Sequence, residues 1–488
     1  MLYMSTILSR MSGVCMFTRM WRGGLVFGCV VLLTACGGSR PAGAPAGGPV
    51  PRDGPAGAPG TAGGAGTAMS TGPQFDQVRL YQQLGLLARG APMPFVGNAS
   101  FLAAGTHDST HVLIGLGVAN ASLTFSREGD RFRAGYSVEI AIKQNGATVK
   151  QTEAHESVLL SSFRETSRID ESIIFQELLT LPPGSYNLVL TVRDDGSSRS
   201  NTEDVTLLVP EVKDGMLSSP ITFARAVTRS NTDALPQIVS SPTSTITFGS
   251  DSMVPLYLEG YSSTAGARLP IRYAVMNEKG QPIFADSTSI PRRGNLYSGV
   301  VLIPVARLTI GAAQVAFVQP GRQDSVKAPI FIGFGEDLPV TTYEDMITYL
   351  RWFAPSYELN TLRDTAPEFR ASAWANFLKR HSALGGSNEP LREYFRRLLG
   401  ANSRFREEGI PGWMTDRGKV LLGLGEPDQV FDQRNTNDFA QRGRSQIWDY
   451  RGQNLQLTFY DQTGFGRWKL VNGSEIAFQA AWRRKITQ

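Results

Sequence analysis

The residues able to do chemistry are scarce and scattered. The 488-residue chain holds four histidines, His107, His111, His155 and His381, and three cysteines, Cys15, Cys29 and Cys36. His107-Asp108-Ser109-Thr110-His111 sets two imidazoles four residues apart. It lies in a β-rich stretch without a His-Glu-x-x-His pattern, so exposed loop residues are expected rather than metal ligands. No Gly-x-Ser-x-Gly elbow supplies a serine nucleophile. The many acids offer no spacing that singles out a pair for glycoside hydrolysis. Gly423-Leu424-Gly425 lacks the third glycine and the Lys-Ser or Lys-Thr of a phosphate cradle, and Pro427 ends the segment. What remains is one dense run of unusual choices, Gly412-Trp413-Met414-Thr415-Asp416-Arg417-Gly418, continuing through Lys419 to Gly425-Glu426-Pro427-Asp428. Thr415 reads as a helix N-cap and Asp416 as its counter-charge at the positive end of the helix. The competing reading makes Asp416 and Arg417 a polar site beside Trp413. A tryptophan between glycines more often fixes a turn against a core, and that reading is preferred. Trp413, Trp448, Phe459, Phe465 and Trp468 are likewise expected in the core of a small domain rather than along a groove. No catalytic residue, metal ligand or cofactor is assigned.

Several elements must position that run, and the chain is too long for one ordinary core. Residues 1–35 read as a leader: Arg19 and Arg22 precede the apolar run Leu25–Leu33, too short to span a bilayer comfortably. Residues 36–73 are Cys36 followed by a stretch that is almost wholly Gly, Ala and Pro. Such a stretch cannot bury apolar area and reads as a disordered tether reaching about 35 Å. Phe75, Val78, Tyr81 and Leu84 suggest a short helix within 74–92, ending near Gly90. From residue 93 the period becomes two. Val138, Ile140 and Ile142 lead to a turn at Asn145-Gly146, the strongest short hairpin signal. Pro182-Pro183-Gly184 opens Tyr186, Leu188, Leu190 and Val192, with Tyr186 placed for a tyrosine corner. Ile271, Tyr273 and Val275 lead to Lys279-Gly280, and Leu308-Thr309-Ile310-Gly311 opens the next strand. These repeats predict two tandem β-sandwiches of immunoglobulin-like type, 93–212 and 217–338.

After Pro339 the period becomes helical, giving a helical segment over 340–405. Thr341-x-x-Glu344 reads as a capping box ahead of an apolar face that stops at Pro355. Pro367 starts a second helix that ends at Gly385-Gly386, and a third begins after Asn388-Glu389-Pro390 and closes at Gly400. Residues 406–488 are then a small α+β domain with a hairpin at Asp461-Gln462-Thr463-Gly464. Trp482-Arg483-Arg484-Lys485 reads as a solvated basic tail. The fold expected is therefore multidomain: two all-β sandwiches, helices and a small α+β unit.

Charge excludes one class of partner. Lys and Arg total 48 against 43 Asp and Glu, a formal +5. Arg10, Arg19 and Arg22 fall in the acid-free leader, leaving 45 basic residues against 43 acidic ones. A balance so near zero supplies no field for nucleic acid.

Leu33-Thr34-Ala35-Cys36 resembles the signal of bacterial lipoproteins. The resemblance implies cleavage before Cys36 and acylation of that residue, an anchor to which each buried methylene adds about 0.8 kcal/mol. Only Cys36 would remain after cleavage, so neither a disulfide nor a thiolate metal site is expected. Gly38 in place of Asp resembles an outer-membrane sorting signal of Gram-negative lipoproteins.

Gly412-Trp413-Met414-Thr415-Asp416, with Arg417 and Gly418, resembles the motif that names the GWxTD-domain proteins, and every motif position is matched. Asn388-Glu389, Gly425-Glu426-Pro427-Asp428 and Trp448-Asp449-Tyr450 are similar to that family too, over about residues 340–470. The resemblance implies a bacterial envelope protein whose domain has no established activity. Thr415, Val420, Gly425, Pro427, Trp448 and Tyr450 also follow an order like that of the small lipoprotein of the outer-membrane β-barrel assembly machinery. The expectation is a non-catalytic outer-membrane lipoprotein facing the periplasm and binding an unknown envelope protein. The runner-up is a carbohydrate-active or hydrolytic protein with carboxylates converging near Asp416, Asp428 or Asp449.

Overall fold

Asn145 and Gly146 both take positive φ, 51° and 82°, which lets two fourteen-residue strands fold back on each other with Gln144 opposite Ala147. That hairpin belongs to a computed structural model describing residues 77–167, 172–248, 251–263, 266–333, 341–383, 386–405, 407, 410–434 and 443–487. The leader, Cys36, the tether and Pro339 lie outside the described residues.

The first described element is α1 (Gln77–Gln83), which ends before the expected Gly90 because β1 (Leu87–Arg89) follows it. Next come β2 (Phe95–Ala103), β3 (Thr110–Ala119), β4 (Ser126–Glu128), β5 (Arg131–Gln144), β6 (Ala147–Leu160), α2 (Phe163–Thr166), β7 (Ser172–Leu181), β8 (Gly184–Asp194) and β9 (Ser200–Val209). They form two sheets, β1-β2-β3-β7 and β4-β5-β8-β9 with β6 beside β5. Alternate residues of both sheets point into one core, including Val112, Ile114 and Leu116 of β3, Ile140 of β5, and Leu188 and Leu190 of β8. The Tyr186 hydroxyl donates to Pro182 O at 2.9 Å, the corner that the sequence suggested.

A second β module follows: β10 (Met216–Leu217), β11 (Ile221–Val227), β12 (Gln237–Ser240), β13 (Thr245–Thr247), β14 (Met253–Tyr261), β15 (Arg268–Asn277), β16 (Pro282–Arg293), β17 (Leu296–Pro304), β18 (Gly311–Val318) and β19 (Ser325–Gly333). These ten strands make one hydrogen-bonded sheet, in the order β12-β11-β14-β17-β16-β15-β18-β19-β13 with β10 beside β14. β16 is the corner strand. It pairs with β15 from Pro282 to Pro291 and then hands Arg292 and Arg293 to β17.

The helices are α3 (Tyr343–Tyr349), α4 (Ser356–Asp364), α5 (Arg370–His381) and α6 (Glu389–Arg404). Thr342, one residue after the expected Thr341, is the N-cap of α3 and accepts from Asp345 N at 3.1 Å. α4 was not expected. Pro355 looked like a stop, but at φ −61° and ψ 147° it is the N-cap of a new helix, and only Leu359 and Leu362 of that helix are buried, too few to set a period. α6 runs through Gly400 to Arg404, held by Leu391, Tyr394, Phe395, Leu398 and Ala401 against the core. The tail holds α7 (Asp416–Leu424), β20 (Gln429–Arg434), β21 (Arg444–Tyr450), β22 (Leu455–Asp461), β23 (Lys469–Leu470) and α8 (Asn472–Thr487), with sheet order β20-β21-β22-β23. One apolar cluster runs from β14 and β15 through the helices to Leu457, Phe459 and Phe478. The second module and the C-terminal domain therefore share a continuous core.

His111 corrects an expectation. It is a buried residue of β3, with Nδ1 2.9 Å from Thr180 Oγ1, while His107 is exposed. β3 is buried along Thr110–Val118 because both of its faces are covered. Burial, followed by the nearby positive charge of Arg229, holds the imidazole below its ordinary pKa of 6.5. The unfolded chain therefore binds the extra proton first as pH falls through 6.5, and stability is lost in that window. Urea unfolding of the wild type and His111→Gln from pH 7.5 to 5 should show the variant losing less; parallel loss would remove His111 from the acid response.

Candidate functional site

The 3-10 turn Gly412–Met414 lies between α6 and α7, and its geometry explains its residues. A Cβ on Gly412 would sit 2.0 Å from Ala401 O, and one on Gly418 would sit 2.0 Å from Gly412 O. Backbone therefore meets backbone at both positions, and no side chain fits. Trp413 is fully buried. Its ring meets Tyr349 edge-on at 5.2 Å, Arg351 lies 5.1 Å over its face, and the Trp413 backbone N–H donates to Asn402 Oδ1 at 3.1 Å. Its indole Nε1 finds no acceptor among the described residues.

Thr415 is the N-cap of α7: its Oγ1 accepts from Gly418 N at 3.0 Å and donates to Gly412 O at 2.7 Å. Asp416 Oδ2 accepts from Leu470 N at 2.8 Å, fastening β23 to the helix start, and Oδ1 lies 3.3 Å from Lys419 Nζ. Lys419 also pairs with Glu475 of α8. Arg417 is stacked between Phe405 at 4.8 Å and Trp468 at 5.0 Å. Burial pushes its guanidinium down and pushes the Glu407 carboxyl up, each outweighing the pull between them. Arg417 Nε is enclosed without an acceptor among the described residues. The run is thus a structural joint, and Asp416 and Arg417 do not converge on one open polar site.

The far end of α7 is held just as closely. Gly425 takes φ +97°, a conformation that favours glycine, and Pro427 follows as the chain turns into β20. Tyr450 OH donates to Gly425 O at 3.0 Å, and Lys485 of α8 donates to Gly423 O and Leu424 O at 3.0 and 3.1 Å. Cations at a helix C-terminus satisfy its last carbonyls. The C-terminal basic residues thus belong to a packed helix, with Trp482 Nε1 donating to Trp352 O at 2.9 Å, and not to a free tail.

Trp448 rests 4.9 Å from Phe459 and 5.7 Å from Phe405, in the core. Asp428 Oδ2 accepts from Arg451 N at 2.7 Å, and Asp449 accepts from Gln456 Nε2 at 3.3 Å. Both acids thus serve the sheet backbone and its side chains. Of the five aromatics expected inside, Phe465 is the exception: it is 91% exposed at the tip of the β22–β23 loop. That loop is shaped by buried Asp461, which accepts from Gly464 N at 3.0 Å and Gly466 N at 2.7 Å. The Gly464-Phe465-Gly466 sequence is the signal for such an exposed tip. Among the described residues no cluster of His, Cys, Asp and Glu is arranged to hold a metal, and no helix is long and apolar enough to cross a membrane.

The GWxTD domain family matches residues 322–488, a span that takes in β19, the helices and the C-terminal sheet. No curated protein matches the chain. Among solved structures it is similar to dimeric latent PorU from Porphyromonas gingivalis, at 8% identity and TM-score 0.21, covering 51% of this chain and 20% of that one. It is similar also to the fibronectin(III)-like modules of Clostridium thermocellum CbhA, at 11% identity and TM-score 0.13, covering 47% and 88%. A third is the native conformation of E. coli alpha-2-macroglobulin, at 10% identity and TM-score 0.16, covering 51% and 16%. The chain spans only about a fifth of PorU, and likeness this slight says nothing of role. The motif, its joint between α6 and α7 and the family match coincide: this is a GWxTD domain-containing protein, with the domain at residues 322–488.

Proposed function

We propose that the chain is a non-catalytic envelope lipoprotein, anchored in the outer membrane through acylated Cys36 and facing the periplasm. Its two β modules, immunoglobulin-like in kind, act as a spacer, and its GWxTD domain docks another envelope protein. The observation that carries the docking is the face of the C-terminal sheet opposite the one bearing Trp448 and Leu457. Phe431 pairs with Ile447 and Ile447 with Thr458, while Val471 N donates to Thr458 O at 3.0 Å. These four residues form a row across the sheet, with Tyr460 on the same face. Phe431 is 46% exposed, Val471 44% and Tyr460 40%. An uncovered sheet face is ordinarily polar, and a mainly apolar row that reaches the edge strand β20, uncovered among the described residues, favours protein contact.

The test is crosslinking in living cells from a photoreactive residue at Gln429, with and without Phe431→Ser and Val471→Ser. Both side chains are half-buried, so each change should cost about 1 kcal/mol of stability, which leaves the domain folded. A discrete envelope protein captured by the parent and lost in the folded variants supports docking. Capture of glycan fragments instead would favour the carbohydrate-active alternative. Cys36→Ala should release the protein from membranes; a variant that still fractionates with them refutes the anchor.

A further inference from the structure

Glu259 of β14 is fully enclosed where the two β modules meet, and both of its oxygens are saturated. Oε1 accepts from Arg229 Nε at 2.7 Å and from Tyr257 OH at 2.6 Å. Oε2 accepts from Arg229 Nη2 at 2.8 Å and from Tyr261 OH at 2.6 Å. Two of these donors reach across to Ala103, the last residue of β2 in the first module. Arg229 Nη2 donates to Ala103 O at 2.6 Å, and Tyr261 OH accepts from Ala103 N at 2.9 Å. The N–H and the C=O of one residue in the first module are thus gripped by two side chains of the second, each oriented by the same carboxylate. Arg229 is fixed in turn by Thr232 O at 3.1 Å and Ala234 O at 2.7 Å.

Apolar contact surrounds the grip: Leu102 and Leu113 meet Ile221, Ile238 and Tyr257. Such contact is non-directional and would tolerate sliding or rotation. A buried ion pair adds little stability over an apolar replacement of the same shape, but its fixed fork admits one geometry. Two further polar clamps agree with that geometry. Phe101 and Ser219 exchange bonds, N to Oγ at 2.9 Å and N to O at 3.0 Å. The Gln176 amide donates to Ile238 O at 2.7 Å and accepts from Ser240 N at 3.0 Å. Gly115 is free of a side chain where it meets Ser240 Oγ, which lies 2.4 Å from its missing Cβ.

We infer that Glu259 is the keystone of a fixed-angle joint that makes the two β modules one rigid arm. Because the second module shares its core with the GWxTD domain, the joint sets where that domain is held relative to the first module. It does so whatever the domain binds.

The test uses the full chain with its three cysteines replaced by serine and spin labels on cysteines placed at Val149 and Lys327, both exposed. Pulsed electron resonance should give one narrow distance for the parent. Glu259→Gln, and the paired apolar replacement Arg229→Met with Glu259→Leu, should broaden the distribution by about twofold or more, since free hinging is the default for modules without a specific joint. Tyr261→Phe, which releases only one side of Ala103, should broaden it less. A parent distribution that is already broad overturns the inference, as does one that stays narrow in the folded paired variant. Unfolding of the second module in every variant would overturn it too, because these residues would then act within that module and not between the two.

Discussion

Gly412→Ala is expected to destabilise the C-terminal domain by about 3 kcal/mol or more, and Gly418→Ala by a similar amount. The added methyl at 412 would lie 2.0 Å from Ala401 O and 2.8 Å from Asn402 Cα, so what must yield is the backbone of α6. That helix cannot drift, because Leu398 and Ala401 are fully buried. At 418 the obstacle is Gly412 O itself, at 2.0 Å, so both substitutions push apart the same crossing of α6, the 3-10 turn and α7. Gly473→Ala is the control. It lies in the first turn of α8 with nothing within 4 Å of its missing Cβ, and loss of a helical glycine should leave stability unchanged or raise it by up to about 1 kcal/mol. Urea unfolding followed by tryptophan fluorescence separates the cases. A Gly412→Ala midpoint matching that of the wild type would mean that the helices part freely and that the close approach is not what holds the turn.

The crossing also marks what the sequence could and could not reveal. Asn145-Gly146, Lys279-Gly280, Thr415 and Tyr186 were legible because each is a local device, a turn, a cap or a corner whose partners lie within a few residues. Gly412 and Gly418 stood out as unusual, but the reason they must be glycine is Ala401, in a preceding helix. Asp416 was read correctly as the counter-charge of a helix start, while its bond to Leu470 N spans 54 residues and leaves no local trace. The joint around Glu259 was missed for the same reason, since Arg229, Glu259 and Ala103 are far apart in the chain. One signal was present: His111-Val112-Leu113-Ile114-Gly115-Leu116-Gly117-Val118 is nearly continuous apolar sequence, not alternating, which is how a strand covered on both faces reads. α4 was hidden by Pro355, because a proline that forbids one helix also favours the start of the next.

Trp413→Ala is expected to cost about 3–5 kcal/mol, the range for emptying a fully buried aromatic site. The neighbours cannot close the gap easily. Tyr349 is itself buried, and its carbonyl accepts from Tyr394 OH at 2.5 Å, while Arg351 would lose the ring face beneath its guanidinium. Trp413→Phe should be much milder, at about 1–2 kcal/mol, because the indole Nε1 has no acceptor among the described residues to lose and only part of the volume disappears. The bond from its backbone N–H to Asn402 Oδ1 survives in both variants. The pair therefore separates packing from recognition. A partner lost with Trp413→Ala but kept with Trp413→Phe is lost through unfolding of the joint. A partner lost equally with both, at unchanged stability, would require the indole to be reachable from outside, which its complete enclosure contradicts. A Phe variant as costly as the Ala variant would mean that a hydrogen bond from Nε1 carries the motif and that packing does not.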